Sequence, residues 1–324
     1  MPTETTHPTA KQIIQNQNLS PTSLHSRVIL ITGCSSGIGI ETARALALTG
    51  AKLFLGVRNI PKARSALSDI IDGDRVRLLH LDLARLDSVR NAAGEFQKQS
   101  SVLHILVNNG GVMMTPDEVR TEDGFEMQFG TNHLGHFLLF ALLRRVMGRS
   151  VEVGLHCRVV GITSSAHRGA VLPLDDMSRL GLDQDGRYNG RLAYGQSKLA
   201  NIYMMNEIER RYGMQGIHGL SVHPGGIFTG LQKYVGEAVM ARLREPEVMR
   251  HMKSVEQGAA TTVLAAVGRE FEGVGGVYLE DCQESEPVRG EYRNVDPGFD
   301  VRIWDRESAE KLWSSSETMV GLQV

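Results

Sequence analysis

With 324 residues, 35 basic against 37 acidic side chains and a hydrophobic share of 41%, the chain has ample material for a core and almost balanced charge. No lysine or arginine block stands out, which argues against nucleic-acid binding by electrostatics. Cys34, Cys157 and Cys282 are far apart and lack metal-ligand spacing, pointing to reduced thiols in a cytoplasmic protein, and no apolar run approaches the roughly 20 residues of a membrane span.

Residues 1–26 are rich in threonine, serine, proline, glutamine and asparagine and lack the apolar centre of a secretion signal. They read as a flexible tail, in which Lys11 to Leu19 could form a short helix with little to bury. No linker divides residues 27–324, so one domain is expected there.

Val28 to Thr32 is a short apolar, β-branched run, as expected of a strand buried on both faces of a parallel sheet. Gly33, Cys34, Ser35, Ser36, Gly37, Ile38 and Gly39 follow at once, and Glu41 to Leu48 has helical composition. Strand, glycine-rich turn and helix together form a phosphate cradle. The glycines permit close backbone approach, and the helix N-terminus offers unpaired amides and a positive dipole to a pyrophosphate.

The alternation continues with strands at Lys52–Gly56 and Val76–Leu81 and helices at Pro61–Ile71 and Ser88–Gln97. Leu103–Val107 is a strand ending in Asn108, Asn109, Gly110 and Gly111, and Glu126–Arg145 a long helix. Further strands are expected at Arg158–Thr163, Ile217–Val222 and Val277–Leu279, with a helix around Gln196–Arg211 between the first two. Strands alternating with helices predict an α/β fold, a doubly wound parallel sheet. Right-handed crossovers then gather the glycine turn, Arg58, Asp82, Asn109, Ser164, Ser165, Pro224 and Gly225 at one edge.

Tyr194 and Lys198 stand four apart in a helical segment and therefore share a face. A phenol loses its proton near pH 10 in water. A neighbouring ammonium lowers that value, so Tyr194 could exchange a proton with an alcohol or carbonyl near neutral pH. His133 and His136 are three apart, but no carboxylate or cysteine completes a metal site, so none is expected.

Over about residues 27 to 285 the chain resembles the short-chain dehydrogenase/reductases, whose fold is the Rossmann fold. Thr32 and Gly33 with Gly37, Ile38 and Gly39 look like the cofactor signature, Asn108 to Gly111 like the sheet-stabilising motif, and Tyr194 with Lys198 like the catalytic pair. Thr131 to Phe137, Ser164 to His167 and Gly275 to Cys282 resemble the retinol dehydrogenase-like branch.

The resemblance implies that Tyr194 is the proton donor or acceptor, and that Lys198 lowers its pKa and holds the nicotinamide ribose. Ser165 is expected to bond the substrate oxygen, its neighbour Ser164 pointing the other way by the period-two rule. Asn132 would hold a water linking Lys198 to solvent. Gly33, Ser35, Ser36, Gly37, Ile38 and Gly39 would hold the cofactor, joined by Asp82 and Leu83, by Asn109 and Gly110, and by Pro224, Gly225, Ile227 and Thr229.

Two features depart from the family. Gly110 stands where alanine is usual, which should loosen the turn without removing its backbone contacts, and the interval 168–192 is long enough to form a surface loop at the mouth of the site.

At the end of the second strand, where a carboxylate would select NAD(H), the chain has Arg58, whose guanidinium suits a 2′-phosphate. The expected cofactor is NADP(H). A segment at about residues 228–256, with Tyr234, Val235, Met240, Met249 and Met252 among charges, is expected to cover a hydrophobic small-molecule substrate. The expected activity is oxidoreduction of a carbonyl or alcohol, in secondary metabolism. A non-catalytic cofactor-binding regulator, and a family enzyme acting on a C=C bond or a redox-neutral step, are the alternatives. By family habit the two long helices pair across a homodimer interface.

Overall fold

The computed structural model describes residues 7–116, 119–152, 155–290 and 295–322. Its centre is a sheet in the order β10-β9-β6-β5-β4-β1-β2-β3. The parallel strands are β1 (Val28–Thr32), β2 (Lys52–Val57), β3 (Val76–His80), β4 (Ile105–Asn108), β5 (Cys157–Ile162), β6 (Ile217–His223) and β9 (Val277–Glu280). β10 (Gln283–Glu284) pairs antiparallel with β9, and β7 (Gly226–Ile227) with β8 (Met252–Lys253) forms a separate parallel pair.

All five residues of β1 are buried. Their side chains alternate between two cores, Val28 and Leu30 in one, Ile29 and Ile31 in the other, as period two requires. The first core is closed by α4 (Leu86–Gln99), α6 (Gly135–Gly148), α7 (Gly190–Tyr212) and α12 (Arg306–Met319). The second is closed by α1 (Ala10–Asn16), α2 (Ile38–Ala47), α3 (Ile60–Ala66) and α11 (Ala260–Val267). β1 lies between β2 and β4, so the chain reverses its direction across the sheet there. A crevice opens at the strands' carboxyl ends.

Three segments differ from the sequence reading. The tail is not flexible over residues 9–17, where Thr9 caps α1 through a reciprocal capping box with Gln12. Ala10, Ile13 and Ile14 are buried against the second core. These are only three apolar residues, but their helical spacing puts them on one face, and tertiary burial outweighs the polar composition.

The long helix expected over Glu126–Arg145 is α5 (Met127–Phe129), a π-turn at Gly130–Leu134, and then α6. A wide turn of this kind re-aims side chains and frees a carbonyl. The loop 168–192 contributes no lining residue to the cleft. Ala170, Leu172 and Leu180 are buried in the first core, and the Gln196 side chain accepts from Gly181 N–H and donates to the Val171 carbonyl.

The expected dimer surface is partly occupied by the chain itself. Trp313 of α12 stacks edge-on against Phe137 of α6 at 4.9 Å and under the Arg211 guanidinium of α7 at 4.7 Å. Ser316 and His133 are hydrogen-bonded at 2.8 Å, and Glu310 pairs with Arg210 at 3.1 Å. Trp313→Ala should lower unfolding free energy by roughly 3–5 kcal/mol, measured by urea denaturation; an unchanged midpoint would show that α12 is not part of the core. No helix of the described residues is long and apolar enough to cross a membrane.

Candidate active site

A cleft of about 1200 Å³ runs along the carboxyl edge of the sheet. Its first wall is the glycine turn after β1. Gly33 and Gly37 take φ of +75° and +59°, a region that L side chains rarely enter. A Cβ on Gly39 would lie 2.4 Å from the Gly33 carbonyl oxygen, so this close fold of turn on helix is open only to glycine. The start of α2 carries no side-chain cap. Its free amides face the cleft with Ser35 and Ser36.

Behind this turn Thr32 organises the end of β4. Its Oγ1 accepts from Asn109 and Gly110 N–H at 2.9 and 2.8 Å, and the Asn109 amide donates to the Thr32 carbonyl at 2.8 Å. Gly110 thus keeps its backbone contact. Thr32 Oγ1 also meets His136 Nε2 at 2.8 Å, while His136 Nδ1 meets the Asn132 carbonyl at 2.8 Å. A carbonyl only accepts, so Nδ1 carries the proton and Nε2 accepts from Thr32. Burial pushes His136 down to about 4, keeping it neutral. Both imidazoles of this segment are therefore engaged, His136 here and His133 with Ser316. Among the described residues no group of three His, Cys, Asp or Glu side chains could hold a metal.

Tyr194 and Lys198 face the cleft from α7, which Asn189 caps well before the expected start. Lys198 Nζ donates to the Ile162 carbonyl at 3.0 Å and stands 5.5 Å from the centre of the Tyr194 ring. Burial pushes the Tyr194 phenol up to about 12, partly opposed by a hydrogen bond with the Ser164 side chain. Burial alone pulls Lys198 down to about 8. Against the expectation of a phenol lowered by its lysine, desolvation sets the direction of the Tyr194 shift, upward.

The serine that meets Tyr194 is Ser164, not Ser165. β5 ends at Ile162 and Thr163 Oγ1 donates to the Lys198 carbonyl at 2.9 Å; beyond the strand's end Ser164 meets the tyrosine. Ser165 lines the cleft but begins a 3₁₀ turn, Ser165–His167, which removes it from the strand's alternation.

Asn132 lies behind the cleft rather than in its wall. Its side chain accepts from Val112 N–H at 2.8 Å and donates to the Val112 carbonyl at 3.0 Å and to Ser197 Oγ at 2.9 Å. A Cβ on Gly111 would lie 3.0 Å from Asn132 Oδ1 and 3.8 Å from Lys198 Nζ, so the two residues border one small space.

The other residues read as cofactor contacts, Ile38, Arg58, Asp82, Leu83, Asn109, Gly110, Pro224, Gly225, Ile227 and Thr229, all line the cleft. Asp82 accepts from Ala84 N–H at 3.1 Å, and Arg58 is exposed with no ion pair among the described residues. Among the lining residues that escaped the sequence reading are Lys62, His7, Lys253 and Glu280. Lys62 lies in the first turn of α3, whose N-cap Asn59 directly follows Arg58. His7, Lys253 and Glu280 are brought in by tertiary packing. The covering segment is α8 (Glu237–Leu243), α9 (Pro246–Met249) and β8, followed by α10 (Val255–Gly258). α8 and α9 bury no residue, and Val239 and Met249 stay exposed beside the cleft-lining Leu243 and Val248.

A family profile described as short chain dehydrogenase matches residues 27–171. The short-chain dehydrogenase/reductase prx1 of Penicillium roqueforti is 45% identical over 316 residues, 97% of this chain and 91% of its own. Retinol dehydrogenase 12 of Homo sapiens is 36% identical over 305 residues, 93% of this chain and 88% of its own. The crystal structure of an uncharacterised protein from Mycobacterium paratuberculosis superposes with a TM-score of 0.69 at 32% identity, covering 98% of both chains.

Proposed function

The chain belongs to the short-chain dehydrogenase/reductase family, in its retinol dehydrogenase-like branch, and we propose that it is an NADP(H)-dependent oxidoreductase of hydrophobic carbonyl compounds or the matching alcohols. The observation that carries this reading is the meeting of Tyr194, Lys198 and Ser164 in the same cleft as the glycine turn. The turn fits the dinucleotide, because Gly33, Ser35, Ser36, Gly37 and Gly39 line the cleft at the start of α2, which carries no side-chain cap. Gly37 and Ser36 would hold the pyrophosphate, Asp82 the adenine, Arg58 with Lys62 the 2′-phosphate, and Thr229 the nicotinamide amide. Bound there, NADP(H) supplies hydride to a carbonyl carbon or accepts it from a carbinol carbon.

The protein's part is orientation and the proton. Ser164 and Tyr194 converge on the substrate oxygen, in the role first read for Ser165. In reduction Tyr194 gives that oxygen its phenolic proton, and the Lys198 ammonium stabilises the phenolate left behind. A phenol raised to about 12 is fully protonated at neutral pH, which suits the donor role. Asn132 holds Val112 and Ser197, and through them the floor under Lys198. The exposed apolar side chains of α8 and α9 support a hydrophobic substrate, and service in secondary metabolism is part of this reading.

The sign of the pH dependence follows from Lys198. Its ammonium is needed and is lost as pH rises through about 8, while Tyr194 keeps its proton there. NADPH-dependent carbonyl reduction should therefore be level near neutral pH and decline in kcat/KM above about pH 8. A profile flat to about pH 10 would contradict the lysine's role.

A further inference from the structure

The last residue of the 3₁₀ turn, His167, and the next, Arg168, are tied to a segment more than a hundred positions away. His167 Nδ1 lies 2.6 Å from the Ser164 carbonyl, and its Nε2 lies 3.2 Å from Asp300 N–H. A carbonyl only accepts and an amide N–H only donates, so the proton sits on Nδ1 and each ring nitrogen makes one bond. The ring is fully buried and held neutral, pushed down to about 4 by burial.

Next to it, Arg168 donates to the Asp296 carbonyl at 2.8 Å and to the Gly298 carbonyl. Gly298 N–H in turn donates to Glu280 Oε2 at 2.8 Å. Gly298 has φ of +120°, and Phe299 is buried between Tyr278 and Trp304. The strap 295–300 is thus fixed from β5 and β9 at once. Two of its residues, Val295 and Pro297, line the same cleft as Tyr194.

We propose that His167 is a positioning residue that locks this strap and Ser164 into one unit, making Val295 and Pro297 the wall that limits substrate size. The inference rests on the reading of Ser164 and Tyr194 as the substrate-oxygen site. Its structural half, the tie itself, stands without any substrate. Loss of the imidazole frees Ser164 on one side and the strap on the other. An asparagine at 167 keeps a donor near Nδ1 but cannot reach Asp300.

The test compares the full chain with His167→Ala, His167→Asn and Arg168→Gln. Hydrogen–deuterium exchange should quicken in the peptide covering 295–300 by roughly five-fold in His167→Ala, as loss of one hydrogen bond allows. Exchange of the glycine turn, and NADPH affinity, should stay unchanged. With NADPH and two carbonyl probes, butanal and fluorenone, His167→Ala should lose roughly ten-fold or more in kcat, the effect of misplacing a reacting group. His167→Asn should regain most of that kcat, with fluorenone KM changed more than butanal KM.

Unchanged exchange at 295–300 in His167→Ala would overturn the proposal, as would a His167→Asn variant no better in kcat than alanine. If the alanine variant does not fold, Arg168→Gln carries the exchange measurement, with faster exchange confined to the strap expected and no change overturning the tie. Failure of the unaltered chain to bind NADPH or reduce either probe would instead sink the oxidoreductase reading, while the exchange result still decides the tie.

Discussion

Tyr194→Phe should lower the rate of NADPH-dependent carbonyl reduction by roughly 10²–10⁴-fold, the range a positioned general acid contributes. The ring itself is buried beside Lys198, and phenylalanine keeps its volume, so the fold and the cleft should survive. What goes is the hydroxyl that meets Ser164 and carries the proton. Cofactor affinity should hold within about two-fold, because the glycine turn and Arg58 are untouched. Thermal denaturation and fluorescence titration with NADPH are the controls. A variant with most of its turnover intact would remove Tyr194 from the chemistry.

Arg58→Ala should weaken NADPH binding by about 10- to 100-fold while leaving NADH almost unaffected. A charge-assisted hydrogen bond to a phosphate is worth roughly 1.5–3 kcal/mol, and each 1.4 kcal/mol is ten-fold. The guanidinium is exposed at the end of β2 with no ion pair among the described residues, so no internal partner competes for it. The glycine turn offers serines rather than a second base. Lys62, at the start of α3 and facing the same cleft, takes up that part, and the double variant with Lys62→Ala should lose more than either single one. Equal weakening of NADPH and NADH would mean that Arg58 does not read the 2′-phosphate.

What the chain discloses before folding follows the locality of the signal. β1 is legible to the residue because four consecutive apolar positions closed by a β-branched threonine, all buried, read as a strand covered on both faces. Tyr194 and Lys198 are legible because a helix fixes their spacing. Ser164 and Ser165 are not separable in the same way. Thr163, Ser164 and Ser165 are all hydroxyl residues, and which of them meets Tyr194 depends on where β5 gives way to the 3₁₀ turn.

The helix α1 fails to announce itself because its three buried residues are outnumbered by polar ones. The strap residues Val295 and Pro297 lie far along the chain, and tertiary ties of their neighbours, among them those to Arg168, His167 and Glu280, place them beside the cleft. Likewise the Lys198 ammonium stands close enough to Tyr194, but spacing says nothing of burial, and burial decides both pKa directions.

The central claim is that hydride and proton reach one carbonyl within this cleft. It is tested most directly by single-turnover transfer from NADPH deuterated at the nicotinamide C4, using fluorenone and butanal as acceptors. Deuterium should appear at the carbinol carbon with the unaltered chain and be almost absent with Tyr194→Phe at the same cofactor occupancy. Cofactor binding without any transfer of label, or equal transfer by the two proteins, would contradict the account.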